Sequence, residues 1–153
     1  MYRKILVPID GGATAEAGLN EAIGLAAALK ARLCVLHVVT GFLLIVEGSS
    51  AINAEELRAG LERYGRTLLD KAVGAAAARH VEAEGVLREL AAGQVADVIV
   101  EEATAQDCDL IVMGTHGRRG LRRLTLGSDA ELVVRHSPVP VLLLRRGDAA
   151  VER

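Results

Sequence analysis

The sequence predicts an α/β fold: a single doubly wound domain whose five-stranded parallel sheet, in the order 3-2-1-4-5, carries helices on both faces. Three observations predict it. Short apolar runs alternate with helical patterns along the chain, in the order βαβαβαβαβ. Most of the strand-like runs are apolar at nearly every position, as strands buried on both faces must be. The core must also be aliphatic: 51% of the 153 residues are apolar, yet Tyr2, Phe42 and Tyr64 are the whole aromatic complement. One domain of about 100–200 residues is expected at this length.

Each element has its own warrant. Residues 4–9 form an apolar run that ends in Pro8-Ile9-Asp10-Gly11-Gly12, a buried strand followed by a turn. Proline brings no ladder donor, so pairing is expected to stop near Pro8. Residues 14–30 read as a helix, with Thr14 as N-cap and Leu19, Ala22, Ile23, Ala26 and Leu29 on one face. Residues 33–39 form a second buried strand. From Thr40 to Asn53, glycines and serines surround an apolar run at residues 42–46. That segment reads either as a lid or dimer contact, or as an ordinary insertion packed on the domain. Residues 54–80 read as a long helix, with Leu57, Leu61, Tyr64, Leu68, Ala72 and Ala75 as its core stripe. Residues 83–90 alternate charged and apolar side chains, which suits an edge strand. Residues 93–106 form a third helix, with Val95, Ala96, Ile99 and Ala103 inward. A short strand (109–113), a long loop (114–127), a short helix (128–136) and a last strand from Val139 to Leu144 complete the pattern.

Right-handed crossovers restrict the topology, and the order 3-2-1-4-5 is the simplest solution. It puts a switch point between strands 1 and 4, where ligands of doubly wound sheets bind at the carboxyl ends. Those ends are Ile9-Asp10-Gly11 and Met113-Gly114-Thr115.

Composition narrows the function classes. A net charge near −2 supplies no global field for nucleic acid. Cys34 and Cys108 are too few for a disulfide framework, lack CxxC spacing and sit in or beside apolar runs, so buried free thiols are expected. His37, His80, His116 and His136 make no metal-ligand cluster with them. No apolar run approaches the roughly 18 residues of a membrane span. The first apolar run is too short for a secretory leader and precedes no small-residue cleavage site. A cytoplasmic setting is expected.

The informative stretch runs from Gly114 to Ser128: Gly-Thr-His-Gly-Arg-Arg-Gly-Leu-Arg-Arg-Leu-Thr-Leu-Gly-Ser. It leaves a strand at the switch point and ends at a helix start. Glycines let a backbone approach a ligand closely, and the free amides of a helix N-terminus attract anions. The loop lacks the Gly-Lys-Ser/Thr of a P-loop. Gly114, Gly117 and Gly120 are spaced three and three, unlike the dinucleotide fingerprint. Taken alone, the loop is weak evidence, and a flexible connection is its default reading. Arg118, Arg119, Arg122 and Arg123 read either as a solvated basic loop or as phosphate contacts.

Gly114, two residues, Gly117, nine residues, Gly127 and Ser128 match in full the nucleotide-loop spacing of the universal stress protein family, which the chain resembles over almost its whole length. Other landmarks agree: Pro8-Ile9-Asp10-Gly11, Leu36-His37-Val38-Val39, Gly93-Gln94-Val95-Ala96, the run into Met113, and Ser137-Pro138-Val139-Pro140. The resemblance implies an adenine nucleotide alpha hydrolase-like fold, an ATP- or AMP-binding stress-response role and a homodimer. It places Pro8, Ile9 and Asp10 along the adenosine, with Asp10 on a ribose hydroxyl or a metal–phosphate complex. The main chain of Val38 would meet the adenine edge, and Met113 would pack on base or sugar. Gly114, His116, Gly117, Gly127 and Ser128 would surround the phosphates, with Arg118 among the phosphate contacts. Magnesium or manganese would be held through the phosphates. Pairing of the last strand, Val139 to Leu144, across a two-fold axis is implied as well.

Two positions depart from the family's pattern. Gly12 stands where serine is frequent, and Asp129-Ala130 follows the Gly-Ser pair. A carboxylate in the first turn stabilises an empty helix start but repels phosphate. Bland roles stay open beside these: Asp10 as a turn residue, His116 as an exposed loop residue and Ser128 as an N-cap. No strong hydrolytic constellation is visible, so a regulatory binder, a nucleotide-free interaction protein and a slow ATPase are the readings the sequence allows.

Overall fold

A computed structural model describes residues 1–41, 53–116 and 126–145. The apolar run at 42–46, Gly117, Arg118, Arg119, Gly120, Arg122 and Arg123 lie outside the described residues. The elements are β1 (Lys4–Pro8), α1 (Ala13–Leu29), β2 (Arg32–Val39), α2 (Ala54–Ala77), β3 (Ala83–Glu89), α3 (Val95–Ala105), β4 (Leu110–Gly114), α4 (Ser128–His136) and β5 (Val141–Leu144). All pairs are parallel, in the order β3-β2-β1-β4-β5. The expected topology therefore holds, with β3 at one edge and β5 at the other.

Alternation along each strand divides the core in two. Ile5, Val7, Leu33, Val35, Leu110 and Val112 face a cluster shared with α1 and α2. Leu6, Cys34, Leu36, Ile111 and Met113 face a second cluster shared with α3 and α4. This two-sided burial is the physical reason the strands read as continuous apolar runs. Cys34 and Cys108 are both buried free thiols in the second cluster. Hydrogen bonding to Cys108, helped by burial, pushes the Cys34 thiol up from its ordinary value.

Three local expectations need correction. The N-cap of α1 is Gly12, not Thr14, and no side chain among the described residues caps that end. Thr14 is instead the second helical residue, and its methyl group lies over Gly114. The inward stripe of α2 is Gly65, Leu69, Ala72 and Ala76, while Tyr64 and Ala75 are exposed. Gly65 makes the difference: a Cβ there would come within 2.6 Å of the His37 ring and 2.7 Å of Leu87, so the helix lies directly on β2 and β3 at that point. Ser128 is the first residue of α4 and Gly127 its N-cap. In α2 the cap is chemical: the Asn53 side chain accepts from the amides of Glu55 (3.0 Å) and Glu56 (3.3 Å).

Candidate functional site

Pro8 shapes the centre of the sheet. The Ile9 N–H donates to the Leu36 carbonyl at 2.8 Å, so Ile9 turns its main chain to β2 and Pro8 turns its own to β4. The β1–β4 register ends at Leu6↔Ile111. The next donor on that side would be the amide of residue 8, which proline lacks. β1 stays paired with β2 through Pro8↔Leu36. The strands thus part on the β4 side first, at the predicted switch point, and the gap between their carboxyl ends is the candidate crevice.

Past Ile9 the chain turns out of the sheet. The Asp10 carboxylate accepts the Gly12 N–H at 2.8 Å, and Gly11 adopts φ +82°, a conformation that favours glycine. Asp10 therefore has the turn-forming role that was one of its two readings. The turn is held from behind by His37, whose Nδ1 lies 2.8 Å from the Ile9 carbonyl oxygen. A carbonyl can only accept, so Nδ1 carries the proton. Val38 shares the main-chain side of Leu36 on β2, so its N–H and C=O point past the last paired residue of β1 into the crevice.

Glycines bring the opposite wall close. At Gly114 a Cβ would lie 2.5 Å from the Thr14 methyl and 3.0 Å from the Thr14 carbonyl oxygen, so this glycine lets α1 lie against the end of β4. Its absence of a side chain is already explained by helix packing. Thr115 then closes the neck of the loop. Its N–H donates to Leu144 at 2.8 Å, and its carbonyl accepts the Gly127 N–H at 2.7 Å. Its hydroxyl lies 3.0 Å from His116 Nδ1. A Cβ on Gly127 would sit 2.8 Å from the Thr115 carbonyl oxygen, so the neck closes only around a glycine. The Gly127 amide is accordingly spent on the neck. Beyond it, no side chain among the described residues caps the first turn of α4. Its leading amides and the exposed Ser128 stand at the mouth, beside the half-buried Asp129.

The predicted residues fall into distinct places. Pro8, Asp10, the Val38 main chain, Gly114, His116, Gly127 and Ser128 gather at the carboxyl ends of β1, β2 and β4 and the start of α4. Ile9 and Met113 do not share a surface: Ile9 is buried towards α1 and α2, and Met113 lies in the opposite cluster with Val38. Met113 is only 7% exposed, so it is chiefly core. Gly117 and Arg118 are outside the described residues. His37 and Thr115 had escaped the sequence reading. A histidine in an apolar strand and a hydroxyl directly after Gly114 were the available signals. A separate depression of about 300 Å³, lined by Arg3, Lys4, Arg32, Gln106 and Asp107, lies at the other end of the strands. There Lys4 bonds Glu84 at 2.7 Å, which raises the ammonium pKa above its ordinary value.

The model of the universal stress protein family matches residues 1–145. The chain belongs to this family. A family member of Bacillus subtilis, universal stress protein YxiE, is 33% identical over 153 residues, covering 95% of this chain and 100% of its own. The solved structure of universal stress protein UspA from Lactobacillus plantarum superposes with a TM-score of 0.78 at 26% identity, covering 94% of this chain and 98% of that one. More distant members share the fold and were solved with nucleotides. One from Archaeoglobus fulgidus holds dAMP (TM-score 0.65, 23% identity, 93% and 97% coverage). Another holds cAMP (TM-score 0.69, 22% identity, 95% and 98% coverage).

Proposed function

We propose that this protein binds an adenine nucleotide, ATP or AMP, in the crevice between the carboxyl ends of β1 and β4 and works as a regulatory binding protein in a stress response. The observation that carries the reading is the break in the sheet at Pro8. Beside it the chain leaves β2 after the Ile9 amide, so the Val38 main chain faces the gap between the strands, and α4 starts at the end of β4. A base with a neighbouring donor and acceptor suits the first, and a phosphate suits the second. The fold relatives that hold dAMP and cAMP support the same ligand class. In this reading Pro8, Ile9 and Asp10 run beside the adenosine and Met113 backs it. Gly114, His116, Gly117, Arg118, Gly127 and Ser128 surround the phosphates. Magnesium or manganese would be held through the phosphate oxygens.

Titration calorimetry with ATP, ADP and AMP tests the proposal. Saturable heat with a micromolar Kd for at least one of them is expected, about −8 kcal/mol. Heats equal to dilution for all three reject it. Asp129 favours a second reading, a nucleotide-free interaction protein, because its carboxylate stands in the turn where phosphate would bind. Replacing Asp129 by asparagine separates the two: the nucleotide reading expects tighter ATP binding, and the other expects none in either form.

The same reading includes a homodimer through β5 and a cytoplasmic setting. The two sheet edges differ in chemistry. β3 carries Glu84, Arg88 and Glu89, charges that discourage further pairing, whereas β5 is Val-Leu-Leu-Leu with Leu142 exposed. Val134 of α4 is also exposed. Sedimentation equilibrium at micromolar concentration is expected to give twice the 16.1 kDa chain mass. A monomeric mass would count against the dimer.

A further inference from the structure

We propose that His37 is a positioning residue that keeps the Val38 main chain open to the nucleotide base. The ligand in this inference rests on the nucleotide reading above; the positioning itself rests on the ligand-free geometry.

A parallel ladder has a fixed rhythm. After Ile9 donates to the Leu36 carbonyl, the Ile9 carbonyl should accept from the amide two residues further along β2, which is Val38. The imidazole of His37 donates to that carbonyl instead, through Nδ1 at 2.8 Å. One side chain thus satisfies the last carbonyl of β1 and releases the amide that would otherwise cover it. The ladder stops one residue early, and the freed amide faces the crevice.

The ring is built into place. It is 7% exposed and meets the Tyr64 ring edge-on, with centroids 6.2 Å apart at 76°. Gly65 leaves room for it: a Cβ there would come within 2.6 Å of Cδ2 and 3.3 Å of Nε2. Tyr64 also extends its hydroxyl over Gly11, where a Cβ would collide with it. His37 and Tyr64 together fix the turn from Ile9 to Gly12 from the side away from the crevice. α2 is thereby tied to the position of Asp10, whose carboxylate closes that turn on the Gly12 amide.

Without the imidazole, two outcomes are open to the Ile9 carbonyl. It can swing to the Val38 amide and extend the ladder, which masks the base edge, or it can stay buried without a donor. The first outcome covers the base edge directly; the second leaves an unpaired acceptor under the turn that carries Asp10 and loosens that turn. Asparagine presents its side-chain nitrogen near the place of Nδ1, so His37→Asn should restore the bond, and His37→Leu cannot.

Two measurements test this. Amide hydrogen exchange on the unaltered, ligand-free protein should show Val38 exchanging about a hundredfold faster than Leu36, which lies inside the β1–β2 ladder. Equal protection at Val38 and Leu36 overturns the proposal. AMP titration should show about tenfold weaker binding in His37→Leu, with His37→Asn within about threefold of the unaltered protein. Unaltered binding in His37→Leu overturns the proposal while leaving the nucleotide reading intact. If the unaltered protein takes none of ATP, ADP and AMP, the nucleotide reading fails and the exchange result alone decides the positioning role; if it takes ATP but not AMP, the same titrations are read with ATP. If His37→Leu does not fold, the exchange result and the His37→Asn titration decide it.

Discussion

Gly127→Ala is expected to weaken AMP binding on the order of 30-fold and to lower stability by about 1–2 kcal/mol. The residue's φ of −61° is open to any amino acid, so conformation is not what glycine supplies here. It supplies space. The new Cβ would lie 2.8 Å from the Thr115 carbonyl oxygen and 3.4 Å from the His116 Cα, both main-chain atoms that cannot rotate away. The neck must widen, and the 2.7 Å bond from the Gly127 amide to Thr115 is strained or lost. Because Gly127 also caps α4, the shift moves the first-turn amides and Ser128 relative to the crevice. The core is untouched, so the loss should fall on binding more than on folding. Calorimetry with AMP and urea denaturation of the same variant check the two parts. Full affinity in a folded Gly127→Ala protein would show that the neck does not set the phosphate site.

The largest expected stability effect lies away from the site. Arg88→Leu should cost about 2–3 kcal/mol in urea denaturation. Glu102 on α3 is 4% exposed and faces β3. Arg88 grips its carboxylate with two nitrogens, at 2.8 and 2.9 Å, and the Gln106 amide donates to the same group at 2.8 Å. Removing the guanidinium leaves a nearly buried carboxylate with a single neutral donor. A fully buried pair broken in this way typically costs about 3–5 kcal/mol. The Arg88 side chain is 46% exposed, so water enters the gap and lowers the figure. Converting Glu102 to leucine in the same chain should recover most of the loss, since a leucine pair needs no donor. A single variant within about 0.5 kcal/mol of the unaltered protein would refute this account.

The sheet was legible because burial on both faces writes itself into sequence as uninterrupted apolar runs, and helices between them admit few topologies. β3 was legible as an edge for the opposite reason, its alternating charges. That same alternation concealed Arg88: a charged residue at an alternate position reads as solvent-facing, and nothing local reveals a glutamate fourteen residues away on a helix that covers it. The α2 stripe was misplaced because its deepest contact is made by Gly65, which carries no apolar signal. The reason for that glycine lies on β2, in the bulk of His37.

The candidate site was legible to the extent that its residues act locally. Asp10 and Gly11 announce a turn, and Pro8 announces the end of a ladder. The spacing of the glycines identified the family but not the task of each. Gly114 accommodates Thr14 and Gly127 accommodates Thr115, packing duties that spacing alone does not distinguish from ligand contact. His37 was least legible, because its partner is a carbonyl 28 residues earlier.

The account stands on a ligand seated where β1 and β4 separate. Amide chemical shifts recorded while AMP is added to the isotope-labelled protein test that placement most directly. The account predicts that the largest changes fall at Asp10, Val38, Gly114, His116, Ser128 and Asp129, with Arg3, Lys4 and Arg32 unmoved. Changes centred on Arg3, Lys4 and Arg32, in the depression at the far end of the strands, would contradict it.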